Sequence, residues 1–172
     1  MAGCIGLGGA LPAAFGNACA QSFPAKPIRF VAAFPAGGPS DIVARAIGRR
    51  MSDILGQAVV IENRTGAGGN IGAEAVAKAP PDGHTLLHGG SFVTIAPSLY
   101  VKPPFPAGTP REIVNKLHSV IVAIVSEPET KNYLIGQGVD PVTSTPAQFA
   151  AYISSEIPKF AQIVKAAGIK PE

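Results

Sequence analysis

The stretch IRFVAAFPAGGPSD, residues 28–41, carries a short apolar run through a Gly/Pro turn into a segment with helical spacing. Seven apolar-rich residues from Ile28 to Phe34 suit a buried strand better than a helix, which needs ten or more. Pro39 fits the first turn of a helix, where a missing N–H costs nothing, and Ser40 and Asp41 suit its capping region. Beyond them Ile42, Val43, Ala46, Ile47, Met51 and Ile54 fall on one helical face, with Arg45, Arg49 and Arg50 off it.

The same unit recurs. Ala58 to Glu62 (AVVIE) is a second short β-branched run, RTGAGGNIGA (64–73) a second glycine-rich turn, and Asn70 to Ala79 a second helical pattern. That pattern has Ile71, Ala75 and Val76 at helical spacing and stops before Pro80-Pro81. His84 to His88 (HTLLH) is a weaker third strand, and Ser91 to Tyr100 suits one more short helix. Strand and helix in alternation predict an α/β fold with a small parallel sheet flanked by helices.

The C-terminal part is helical. Thr109/Glu112, Ser126/Glu129 and Thr145/Gln148 each match the S/T-x-x-E/Q capping box with Pro in the first turn. Ile113, Leu117, Val120, Ile121 and Ile124 form one apolar stripe; Phe149, Tyr152, Ile153, Ile157, Phe160 and Val164 form another, which Pro158 should kink. VKPPFPAGTP (101–110), with four prolines, separates the two parts.

At 172 residues, 47% hydrophobic and 15% charged, the chain has room for one domain with a real core. A net charge of +3 without a basic run gives no nucleic-acid surface. The first charged residue is Lys26. Residues 1–20 read as a signal peptide or its remnant, with the small-x-small triplet Ala18-Cys19-Ala20, although a basic start is missing. Both cysteines, Cys4 and Cys19, fall inside it, so a processed chain would hold no thiol.

Each glycine-rich turn follows a strand and opens a helix, where free N–H groups and the helix dipole favour an anion. Adjacent parallel strands would bring both turns to one carboxyl edge, the usual ligand edge of an open α/β sheet. Neither turn contains a lysine, and the nearest cation is Arg64, so the pair suits a carboxylate held by amide hydrogen bonds. Asp41 suits capping better than contact with an anion; Ser40 fits either role.

A rival exists. Thr65 to Gly72 (TGAGGNIG) fits the T-G-x-x-G-x-x-G nucleotide turn of extended short-chain dehydrogenases, which would make the chain an NAD(P)-dependent oxidoreductase. Against it, the turn follows the second strand, HTLLHGG offers no acidic residue for a ribose, and no Tyr-x-x-x-Lys pair is present. His84, His88 and His118 are isolated, so no metal site, cofactor or catalytic constellation is expected.

PAKPIRFVAAFPAGGPSDIVARAIGRRM, VVIENRTGAGGNIGAEAVAKAPPDGHTLLHGG and TIAPSLY, followed by PAGTPREIVNKLH, resemble the Bug-type substrate-binding proteins of tripartite tricarboxylate transporters. The resemblance implies a two-lobed periplasmic-binding (Venus-flytrap, type II-like) architecture, of which this chain would keep one lobe. It implies non-enzymatic capture, in the periplasm, of a di- or tricarboxylate or acidic amino acid for a membrane permease. The ligand-binding residues it implies are Ala36, Gly37, Gly38, Ser40 and Asp41 in the first turn, and Gly66, Ala67, Gly68, Gly69 and Asn70 in the second. Ser91 and Thr94 would border the cleft.

In that family a long stretch separates -SLY- from PAGTP. Here the two nearly touch, so residues 101–108 read as a junction where the second lobe has been lost, between a βαβαβ part (21–100) and a helical part (109–172) of one lobe. Two helix N-termini and a few amide hydrogen bonds supply about 4–6 kcal/mol, and micromolar binding needs ~8 kcal/mol. Millimolar affinity or none is expected, and a non-functional remnant is a further alternative. Apolar surface uncovered by the loss would drive self-association.

Overall fold

The computed structural model describes residues 23–99 and 108–170. The leader at 1–20, Tyr100 and nearly all of the expected junction lie outside the described residues. Element order is β1 (Ile28–Ala32), α1 (Pro39–Leu55), β2 (Val59–Asn63), a 3-10 turn (Ala67–Gly69), α2 (Asn70–Ala77), β3 (Thr85–His88) and α3 (Phe92–Leu99). Three helices follow: α4 (Arg111–Ser126), α5 (Pro128–Gly136) and α6 (Pro146–Ala166).

The three strands form a parallel sheet in the order β2-β1-β3, with Phe30 opposite both Ile61 and Leu86. A parallel neighbour on each side makes β1 the central strand, and all of it but Arg29 is buried. Its alternation serves two faces, as a period of two requires. Ile28, Phe30 and Ala32 pack with Ala44, Ile47 and Met51 of α1 and with Leu117, Val120 and Ile124 of α4. Ala33, just past the strand, packs with Ala73 of α2 and Phe92 of α3 on the other side.

The periodicity of α1 and α2 pointed to somewhat different faces. In α1 the buried positions are Asp41, Ala44, Ile47, Gly48 and Met51, whereas Ile54 is 47% exposed. In α2 Gly72, Ala73 and Val76 are buried and Ile71 is 49% exposed. Small residues carry these contacts because the helices lie close to the sheet. A Cβ on Gly48 would sit 2.7 Å from Ile61 Cδ1, and one on Gly72 would sit 2.9 Å from the Arg64 carbonyl oxygen.

Of the three capping boxes, one forms: Thr145 Oγ1 accepts from Gln148 N–H at 3.2 Å, and Gln148 Oε1 accepts from Thr145 N–H at 2.9 Å. At α4 the N-cap is Pro110, and at α5 it is Glu127, neither with a side-chain cap. Ser126 is consumed as the last residue of α4, so α5 begins one residue later than the box requires. The α4 stripe forms as expected. On α6, which packs along α3 and continues through Pro158, only Val164 is buried, and Phe149 and Tyr152 stay more than half exposed. No described helix is long and apolar enough to cross a membrane.

Candidate functional site

Both glycine-rich turns lie at the carboxyl edge of the sheet, after the adjacent strands β1 and β2. A polar knot fastens them. Asp41, in the first turn of α1 and 3% exposed, accepts from Gly37 N–H at 2.9 Å and from Arg45 Nε at 2.8 Å through Oδ2. Its Oδ1 accepts from Asn63 Nδ2 at 2.9 Å. Asn63, the last residue of β2, also donates to the Phe34 carbonyl at 3.0 Å and accepts from Arg45 Nη2 at 3.1 Å. The Arg45 guanidinium, then the Gly37 amide and Asn63, outweigh burial and hold the Asp41 carboxyl far below the usual carboxylate range. Asp41 is therefore ionised and fully engaged by the protein. It reaches back to Gly37 from inside the helix, while the N-cap position itself is Gly38.

The first turn spends much of its donor capacity internally. Gly37 N–H goes to Asp41, Gly38 N–H to the Pro35 carbonyl at 3.3 Å, and Pro39 has none. Ala36, Gly37, Gly38, Ser40 and Asp41 do not line either of the two cavities described below. Ser40 Oγ is buried and has no hydrogen-bond partner among the described residues.

The second turn is arranged otherwise. Gly66, Ala67, Gly68 and Gly69 all have positive φ, at 121°, 45°, 63° and 104°. Glycine takes that region freely, but Ala67 does so at a cost, and such strain clusters at binding sites. The turn uses Gly69 N–H on the Gly66 carbonyl and Asn70 N–H on the Ala67 carbonyl, leaving the N–H groups of Ala67 and Gly68 outside its own bonding. Gly69 is packed flat on a ring: a Cβ there would sit 3.0 Å from Phe92. Asn70 Oδ1 is buried without a partner among the described residues.

Ala67, Gly68, Asn70 and Ser91 line one cavity of about 290 Å³, together with Phe34 and Phe92. Ser91 also borders a second cavity of about 530 Å³ between β3, α3 and α6, which Thr94 shares. Thr94 is buried, its hydroxyl donating to the Ser91 carbonyl at 2.8 Å, so it fixes the start of α3. The structure thus gathers Ala67, Gly68, Asn70 and Ser91 at one cavity, Gly66 and Gly69 shape the turn, and the first-turn residues are not among that cavity's lining. Sequence reasoning missed Asn63, because a lone Asn ending a strand shows no partner until the helix is placed, and missed the apolar wall from α3.

The histidines have structural settings. His84 Nε2 accepts from Ala25 N–H at 3.2 Å beside the Phe23 ring. His88 meets the Phe30 ring edge-on at 5.8 Å, and burial lowers its pKa. His118 Nε2 lies 2.9 Å from the Ser144 carbonyl oxygen.

Residues 43–107 match the family described as tripartite tricarboxylate transporter family receptor. The chain is 40% identical over 114 residues to protein BugT of Bordetella pertussis, which takes in 65% of this chain and 35% of BugT. It is 42% identical over 105 residues to a UPF0065 protein from the tcbD-tcbE intergenic region of Pseudomonas sp. strain P51, with 59% and 31% covered. The chain thus spans about a third of the length of these curated relatives. The structure of periplasmic binding protein BugD superposes with a TM-score of 0.79 at 18% identity, over 87% of this chain and 100% of that one. MatC from Rhodopseudomonas palustris, solved with bound malate, gives 0.69 at 18% identity, over 83% and 100%. At such identities the likeness is one of fold, and the fold is that of one lobe of a periplasmic binding protein: a small parallel sheet between helices.

Proposed function

We infer, from the family match over residues 43–107 and the one-lobed fold, that the chain belongs with the Bug-type tripartite tricarboxylate transporter receptors, and we propose that it binds a small carboxylate without transforming it. The observation that carries this reading is the second turn. Four successive residues of positive φ open α2, two amides are left outside the turn's own bonding, and Asn70 brings a buried, unpartnered oxygen to the adjoining cavity. A water donating one hydrogen to Asn70 Oδ1 and the other to the carboxylate completes the seat, with Ala67, Gly68 and Ser91 at its rim. Gly66 and Gly69 act by permitting the turn. Asp41 acts through Asn63 and Gly37 by holding the first turn against the second, and Ser40 contributes from the first turn.

Several parts of the reading rest on the family. Its setting is the periplasm, after export on the segment 1–20, and its product is delivery of the ligand to a membrane permease. The family match ends at residue 107, inside PAGTP, which supports a junction there in place of a second lobe. One lobe leaves the seat open to water, so the affinity is millimolar. Exposed apolar side chains on α6 (Phe149, Tyr152, Ile163) and α5 (Tyr133, Ile135) support self-association of the uncovered lobe.

A thermal-shift titration against a carboxylate panel up to tens of millimolar tests the function, with NADH as the control. A ligand at ~100 Kd stabilises by about 2.7 kcal/mol, so a carboxylate-dependent rise in Tm is expected. A cooperative transition unmoved by every carboxylate, or fluorescence enhancement of NADH, would overturn it.

A further inference from the structure

We propose that this lobe selects an amphiphilic monocarboxylate, a short aliphatic or aromatic acid, over a di- or tricarboxylate; the inference rests on the carboxylate reading of the second turn. The cavity beside Asn70 holds about 290 Å³, near the lower end of small-molecule sites. One rim is polar, made by Gly68, Asn70 and Ser91. The rest is hydrocarbon: Phe34 and Phe92, edge to face at 5.8 Å, with Ile95, Ala96 and Leu99 of α3 beyond them.

Among the described residues no Lys or Arg lines this cavity, and the described cations at that end of the sheet are already engaged. Arg45 is bound to Asp41 at 2.8 Å and to Asn63 at 3.1 Å. Arg64 is bound to Glu62 at 2.6 Å. A second carboxylate carried into the cavity would shed its hydration with no ion or donor to replace it, which is costly for any charge. An alkyl chain or ring gains by the same transfer. Extension past Ser91 does not help a dianion. The second cavity is walled by Leu87, Val93, Phe149 and Ile153, and its one charged side chain among the described residues is the carboxylate of Glu156. One end of the ligand is thus read as an anion and the remainder as hydrocarbon.

Three probes with six carbons separate the inference from the reading beneath it: hexanoate, adipate and 1-hexanol. The chain, labelled on amides and isoleucine methyls, is titrated with each and followed by NMR at the Gly68 and Asn70 amides and the Ile95 methyls. Hexanoate is expected to move both sets together, with a Kd about tenfold or more below that of adipate, and 1-hexanol to bind more weakly than hexanoate and leave the amides still. Adipate binding as tightly as hexanoate at these resonances would overturn the inference and leave the carboxylate reading intact. Hexanol matching hexanoate, or no acid moving the Gly68 and Asn70 amides, would overturn the carboxylate reading itself and the inference with it. In Ile95→Ser the advantage of hexanoate over adipate should shrink several-fold; an unchanged ratio in a folded variant contradicts the role given to the α3 wall.

Discussion

Asn63 Nδ2 stands 2.9 Å from Asp41 Oδ1, so the end of the second strand is bonded to the first turn of the first helix. Through Asn63 the same contact reaches the Phe34 carbonyl, two residues past β1. Three segments that make the carboxyl edge of the sheet are therefore fixed to one another by a buried carboxylate whose oxygens are all engaged by protein donors. That arrangement gives Asp41 a structural task beside the proposed seat.

Replacing Asp41 by Ala takes the acceptor from the Gly37 amide and Arg45 Nε and leaves Asn63 Nδ2 with the Phe34 carbonyl alone. The expected loss is roughly 1–3 kcal/mol of unfolding free energy, from part-buried hydrogen bonds broken at a buried acceptor. Asp41→Asn keeps an acceptor and should cost about half as much. Urea unfolding of the two variants checks the order, and equal stabilities would contradict it.

Acid titration gives a second test of the same group. The folded carboxyl titrates well below its unfolded value, so its contribution is complete above about pH 4 and is lost as pH falls toward the folded value. The Tm gap between the wild type and Asp41→Asn should therefore be constant from pH 7 to about 5 and narrow below about 4.

His88 acts at higher pH. Burial favours its neutral form and lowers the folded pKa below the ordinary value near 6.5. The sign is the same: stability is present above about pH 6.5 and declines below it, because the unfolded chain takes up the proton first. His88→Gln should flatten the Tm profile between pH 7 and 5; an unaltered slope would contradict this.

Much of the βαβαβ core was legible because short apolar runs, Gly/Pro turns and helical spacing agree with one another from Ile28 to His88. The helix faces were less legible. Hydropathy favours Ile54 and Ile71, but the close approach of helix to sheet selects Ala44, Gly48, Gly72 and Ala73, whose value is their small size. The capping boxes at Thr109 and Ser126 failed because Pro110 and Glu127 took the cap positions, a matter of one residue that composition does not resolve. At the site, the positive-φ turn was legible from its glycines. The apolar wall from Phe92 to Leu99 was not, since it depends on where α3 lies.

The capping difference is itself testable. Thr145→Ala removes the one box that forms and should cost about 1 kcal/mol. Ser126→Ala, at a position that caps nothing, should stay within about 0.5 kcal/mol. Thermal unfolding followed by circular dichroism distinguishes the two.

In the second turn, Ala67 at φ 45° and Gly69 at φ 104° make opposite predictions. Ala67→Gly relieves a left-handed side chain and should be neutral to stabilising by up to about 1 kcal/mol. Gly69→Ala places a methyl 3.0 Å from the Phe92 ring in a backbone conformation that alanine avoids. A loss of about 2 kcal/mol or more is expected, with weaker carboxylate binding.

The central claim is that the amides opening α2 hold a carboxylate, and an amide-resolved NMR titration of the nitrogen-15-labelled chain tests it most directly. Small carboxylates should produce saturable shifts at Ala67, Gly68, Asn70 and Ser91 with millimolar midpoints for the best of the set. Amides at these four positions that stay fixed up to tens of millimolar of every carboxylate, in a chain whose spectrum remains that of a folded protein, would contradict it.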